Sequence, residues 1–186
     1  MICVCIKLCK PKRVKLKDGR TVLLRRPEMK DLRQMTDYIN SFVDEQAMIQ
    51  IYKRLTLATE RKWLRKMLAE IRSGRVHLIV AELDGKIVSI TNLTKGEGRC
   101  EHVAEYGISV LKGYRRLGIA TAISKRIIEI GKKDRNIKVI TLQVYVPNKG
   151  AIRMYRKLGF RTVARLPRRI SYKGKLIDEF IMDMKR

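Results

Sequence analysis

Two hydrophobic periods divide the chain. Leu32, Met35, Ile39 and Phe42 recur at the spacing of a helix face. So do Trp63/Leu64, Met67/Leu68 and Ile71, and again Ile119, Ile123, Ile127 and Ile130. Between them lie short runs rich in β-branched residues, at 20–25, 75–83, 86–93, 101–110, 139–146, 160–166 and 175–184, which read as strands; 14–17 and 20–25 alternate enough to form a small hairpin. Asp18-Gly19, Asp84-Gly85 and Tyr172-Lys173-Gly174-Lys175 carry the turns. Pro147 ends an almost continuous apolar run, Ile140-Thr141-Leu142-Gln143-Val144-Tyr145-Val146, whose pattern fits a strand buried on both faces. Asn148 suits a helix N-cap and Gly159 a helix C-cap. Trp63 is expected in the core, residues 94–100 as a mobile loop, and 44–57 as either helix or loop. The resulting order, β-α-α-β-β-β-α-β-α-β-β, alternates in its second half. It therefore implies at least one parallel pair in an otherwise antiparallel sheet.

One turn stands out. Residues 103–110 read as a strand and the isoleucine stripe after 119 as a helix. The link between them, Leu111-Lys112-Gly113-Tyr114-Arg115-Arg116-Leu117-Gly118, is basic and carries two glycines. Such a turn gathers backbone N–H groups at the positive end of a helix dipole, where a phosphate or pyrophosphate is stabilised. A Cβ at Gly118 would hold a phosphate off the backbone. A solvated loop is the plainer reading of the turn alone. The Arg-x-x-Gly-x-Ala spacing of Arg115, Gly118 and Ala120 nevertheless leaves small side chains, Gly118 and Ala120, where a ligand would approach, and a second ordered motif follows in Asn148-Lys149-Gly150-Ala151-Ile152-Arg153-Met154-Tyr155 and Leu158-Gly159-Phe160.

These two motifs resemble those of the GNAT N-acetyltransferases. Arg115–Ala120 is similar to their Arg/Gln-x-x-Gly-x-Gly/Ala acyl-CoA loop, with Ala120 where many members carry glycine. Asn148-x-x-Ala151-x-x-x-Tyr155 is similar to their second motif. The resemblance runs from about residue 21 to 184. It implies a GNAT-like α/β fold (mixed α+β): a mostly antiparallel twisted sheet with one parallel strand pair splayed around acyl-CoA, and about four helices. Acetyl-CoA is then the expected co-substrate. Ile108, Ser109 and Val110 would lie along its pantetheine. Arg115, Arg116, Leu117, Gly118, Ile119, Ala120 and Thr121 would surround its pyrophosphate, and Asn148 would cap a helix, bond the pantetheine, or both. The helices of residues 32–71 would flank the acceptor groove.

Acetyl transfer to an amine needs a neutral amine, donors for the thioester oxygen and a proton for the leaving thiolate. Lysine amines titrate at about 10.4 and peptide N-termini at about 7.7–8.0, so a base matters more for lysine. The resemblance places Tyr155 beside the sulfur as the acid; a packed aromatic is the plainer alternative. Glu105, on the central strand amid apolar residues, is the expected base, with His102 or water as rivals and a salt bridge as the structural alternative. A backbone N–H near Val110 is the expected oxyanion donor.

Composition sharpens the partners. The formal net charge is +25 over 186 residues, from 43 Lys/Arg against 18 Asp/Glu. Coenzyme phosphates need only a few of these charges. The excess predicts attraction to RNA, ribosomes, DNA or acidic protein surfaces, although Asn and Gln number only four each and a heat-adapted composition would also raise charge. The acceptor is expected to be a protein lysine or N-terminal amine. A small-molecule amine acetyltransferase, or a non-enzymatic CoA-binding basic module associated with nucleic acid, are the alternatives. A homodimer through an edge strand is compatible with the fold. No signal-peptide pattern or bilayer-length apolar run is present, so no membrane partner and a cytoplasmic setting are expected. Cys3, Cys5 and Cys9 lack paired Cys-x-x-Cys spacing, and no metal is expected. Residues 1–19 are read as a basic segment and 20–186 as a single acetyltransferase domain.

Overall fold

A computed structural model describes residues 10–185. Cys3, Cys5 and Cys9 lie outside them; Cys100 is an exposed free thiol. The elements are β1 (Lys12–Lys15), β2 (Thr21–Arg25), a 3-10 turn (Met29–Asp31), α1 (Leu32–Asp44), α2 (Leu57–Ser73), β3 (Val76–Leu83), β4 (Lys86–Lys95), β5 (Val103–Val110), α3 (Ile119–Lys133), β6 (Val139–Tyr145), α4 (Lys149–Leu158), β7 (Arg161–Tyr172) and β8 (Lys175–Lys185). All eight strands form one sheet in the order β1-β2-β3-β4-β5-β6-β8-β7. Every pairing is antiparallel except β5 with β6. This is the mixed α/β sheet with one parallel pair that the element order implied. Residues 12–15, which the sequence pattern groups with the N-terminal segment, supply its edge strand.

Two cores sandwich the sheet. On one face α1 and α2 cover Val76, Leu78, Val80 and Ile87. On the other, Ile119, Ile123, Ile127 and Ile130 of α3 and Ile152 of α4 pack on Ala104, Ile140, Leu142 and Val144. The isoleucine stripe is fully buried, as its 3.6-residue period requires. Caps fall where the side chains allow them. Thr56 accepts from the Thr59 N–H at 3.1 Å to start α2, and Asn148 accepts from the Ala151 N–H at 3.2 Å to start α4.

The structure corrects several expectations. Trp63 is 37% exposed rather than a core anchor. The buried line of α2 runs through Glu60, Leu64 and Ile71, which rotates Trp63 off the contact. The central strand begins at Val103, because residues 98–100 form a 3-10 turn and Glu101 and His102 are exposed after it. The His102 carbonyl instead accepts the Lys138 and Val139 amides at 2.8 and 3.2 Å, seating the start of β6. β4 runs on to Lys95, which shortens the expected mobile loop. Residues 45–56 are loop with no helix.

Candidate active site

The parallel pairing is short. β5 and β6 are joined only at Val103–Val139, Ala104–Ile140 and Glu105–Thr141. β6 then stays with β8 to Tyr145, while β5 stays with β4 to Val110. The two strands therefore part inside the sheet. Ladder alternation decides what they expose. The Leu111 N–H donates to the Val88 carbonyl at 3.0 Å, so the amide groups of Val110, and of Ile108 two residues earlier, turn away from β4 toward the gap.

A tyrosine props this end of the strand. The Ile90 N–H reaches the Tyr38 hydroxyl at 3.1 Å, and that hydroxyl donates to the Ser109 carbonyl at 2.8 Å. A rung that would run directly between β4 and β5 thus passes through an α1 side chain. The Ser89 hydroxyl also donates to the Ser109 carbonyl, at 2.7 Å.

The gap opens into a cavity of about 1150 Å³ that runs from the α4 side of the sheet to the loop after α1. Ile108, Ser109 and Val110 line its sheet edge. Arg115, Arg116, Leu117, Gly118, Ala120 and Thr121 line one end, and Asn148, Met154 and Tyr155 one wall. Ile119 is the exception among the expected cofactor residues: it is 1% exposed and packs in the core. Arg116 and Gly118 both have left-handed backbone, with φ 66° and 87°. Gly118 is the N-cap of α3 with no side-chain cap, so the first N–H groups of the helix lack intrahelical partners. Together these form an amide-lined anion seat. The residues present therefore fit a diphosphate joined to an extended amide chain.

Arg115 is engaged within the protein. Its guanidinium bonds Glu45, donates through Nε to the Val110 carbonyl at 2.9 Å, and lies 6.0 Å from the Phe42 ring centre. It ties the turn to the loop after α1, leaving Arg116, which is exposed, as the freer cation at the anion seat.

Tyr155 is 7% exposed and packs edge-on to Tyr106 and Phe160, each with ring centres 6.0 Å away. Its hydroxyl makes no hydrogen bond to another described residue. Burial pushes it up to about 12, so it is protonated at neutral pH. Glu105 is exposed and does not line the cavity, contrary to the apolar enclosure expected of it. It sits on the last parallel rung, on the face opposite Tyr106. His102 precedes the first residue of the same strand, at the end remote from Val110, also outside the cavity. Sequence reasoning missed Tyr38, Glu45 and Tyr172. Tyr38 occupies a core position of α1 that the Leu32-Met35-Ile39 stripe pointed to one residue away.

Residues 40–160 match the model of the acetyltransferase (GNAT) family. The chain belongs to the GNAT family. Among GNAT relatives, an L-amino acid N-acetyltransferase of Escherichia coli is 30% identical over 56% of this chain and 65% of its own, and an N-alpha-acetyltransferase of Sulfurisphaera tokodaii is 36% identical over 45% and 56%. The match thus spans less than two thirds of either relative. A Mycobacterium smegmatis RimJ structure in complex with CoA-disulfide superposes with a TM-score of 0.78 at 20% identity, covering 94% of this chain and 86% of that one. At that identity the likeness shows the GNAT fold alone.

Proposed function

We propose that this GNAT protein moves an acetyl group from acetyl-CoA to a primary α-amine, either a protein N-terminus or an amino acid. The observation that carries this is the edge of β5 at Ile108 and Val110, which β6 no longer pairs and which opens beside the amide-lined start of α3. An extended amide-bearing chain can bond that edge as a further strand would, and a diphosphate can sit on the amides beyond it. Acetyl-CoA supplies both groups, together with an activated acyl carbon. The α-amine is favoured because both named relatives act on amino acids or N-alpha positions. A peptide N-terminus titrates at about 7.7–8.0, so a fraction of it is neutral near pH 7 without a strong base.

Each residue then has a task. The N–H groups of residues 118–121 and Arg116 hold the phosphates. The Val110 N–H donates toward the oxygen that gains charge. The Tyr155 hydroxyl donates its proton to the departing sulfur, and its position in the cavity wall with no internal partner supports that role. Glu105, exposed beside the strand gap, takes the amine proton through water.

The test is a panel of peptides with free N-termini and L-amino acids, with acetyl-CoA, following release of free CoA. Turnover is expected, with a rise in melting temperature on adding acetyl-CoA. No thermal shift would remove the cofactor site. A shift without turnover would leave the binding module, a reading the +25 charge favours if RNA is bound tightly.

A further inference from the structure

A second carboxylate lies on the same sheet face as Glu105. Glu179 is on β8, paired with Tyr145 of β6 and Leu166 of β7. It is 2% exposed, and its Oε1 is buried without a hydrogen-bond partner among the described residues. That is costly in any protein. It is more unexpected in one with 43 Lys/Arg for 18 Asp/Glu. β7 alone carries Arg161, Arg165, Arg168 and Arg169, and none of them hydrogen-bonds or salt-bridges it.

Its surroundings lead to the cavity. Cross-strand pairing puts Tyr145 and Glu179 on one face, and Tyr145 packs against Tyr172, with ring centres 6.5 Å apart. Tyr172 is a cavity wall residue, and its hydroxyl donates to the Gln46 carbonyl at 2.9 Å. Glu105 and Asp183 share this face, both aligned on Thr141, and Asp183 also has a buried oxygen without a partner. No three carboxylates among the described residues converge closely enough to hold a metal ion. The arrangement suits an ammonium, which needs one or two carboxylates rather than a full shell. Burial pushes the Glu179 carboxyl up; the charge of Arg169 opposes this in part, and that of Glu105 adds a smaller upward push. A cation arriving there would relieve both penalties.

We propose that Glu179 is the residue that receives the acceptor's ammonium group, behind a wall formed by Tyr145 and Tyr172 that opens when the single Tyr172–Gln46 hydrogen bond is released. This rests on the acetyltransferase reading, in which the amine must meet the acyl group at the strand gap. Glu179 binds and positions the amine; Glu105 stands nearer solvent to take its proton.

The experiment uses the full chain and its Glu179→Gln and Glu179→Asp variants. Thermal melts are recorded with n-butylammonium and with the neutral n-butanol, and separately with acetyl-CoA. Wild type is expected to be stabilised by butylammonium over butanol, Glu179→Gln to lose that difference, and Glu179→Asp to keep part of it. The acetyl-CoA shift should be equal in all three. With the peptide and amino-acid panel, Glu179→Gln should lose 10-fold or more in kcat/KM for the amine. An equal butylammonium effect in wild type and Glu179→Gln, or unchanged amine kcat/KM, overturns the proposal. Absence of the acetyl-CoA shift in wild type overturns the cofactor reading instead, and the butylammonium comparison still decides Glu179.

Discussion

Tyr155 carries the heaviest demand on a single side chain. Burial holds its hydroxyl at about 12, so the proton it would donate is present across the working range and is lost only as the pH nears that value. Tyr155→Phe keeps the ring packing against Tyr106 and Phe160 and removes only the hydroxyl. Turnover is expected to fall by about 10²–10⁴, the usual contribution of a positioned proton donor, with the acetyl-CoA melting shift unchanged. A kcat equal to wild type would remove Tyr155 from the chemistry. Gly118→Ala tests the other end of the cavity. At φ 87° an L side chain is strained although no atom lies within 4 Å of the added Cβ. A stability loss of about 1 kcal/mol is expected along with a smaller acetyl-CoA shift. Both residues are legible in the amino-acid sequence, because their motifs require a particular residue at a particular spacing. Glu179 is not. Asp178-Glu179 places adjacent carboxylates on opposite faces of a strand, and the pattern alone does not say which face is covered.

At the level of elements, strands and helices are readable where period and turn chemistry agree. The Asp84-Gly85 hairpin and the α3 stripe are examples. The pattern misleads where tertiary contact decides: the true start of β5 depends on a 3-10 turn, and Trp63 depends on the rotation of α2. One inter-element clamp is invisible to periodicity. His77 of β3 bonds Asp134, the C-cap of α3, at 3.0 Å, and Lys95 at the end of β4 meets the same carboxylate at 2.6 Å. Burial outweighs the Asp134 carboxylate and lowers the His77 imidazole below its ordinary value. The unfolded chain therefore binds the histidine proton first as pH falls. Stability should drop below about pH 6.5, with a slope of up to about 1.4 kcal/mol per pH unit. Asp134 acts lower still. Burial raises its carboxyl, but Lys95 and His77 more than offset this, so its contribution is lost only as pH falls through its depressed value. Urea melts from pH 7.5 to 5 should show a flatter profile in His77→Gln; a slope equal to wild type would mean that the imidazole binds its proton equally in the folded and unfolded chains.

Across the whole molecule, the charge is concentrated as well as large. Between Lys149 and Tyr172 there are eight Lys/Arg and no Asp/Glu. Arg165 is held by Asp178 at 2.5 Å, whereas Arg161, Arg168 and Arg169 of β7 are exposed. Arg168 has left-handed backbone, φ 54°, at the irregular stretch where β7 loses register with β8. Cations in a row along an edge strand suit a phosphate backbone, whose binding is driven by counterion release. They also repel one another, so added salt should stabilise the fold until screening is complete. The two effects can be separated with a single-stranded RNA probe, its anisotropy followed from about 50 to 300 mM KCl. Binding should weaken steeply with salt, and Arg161→Gln, Arg168→Gln and Arg169→Gln should each reduce the log–log slope by about one, while leaving the acetyl-CoA shift intact. Equal slopes in wild type and the triple variant would mean that this face does not meet polyanions and that its charge is a matter of composition. Altered slopes would place a nucleic-acid contact on the hairpin that also carries Glu179.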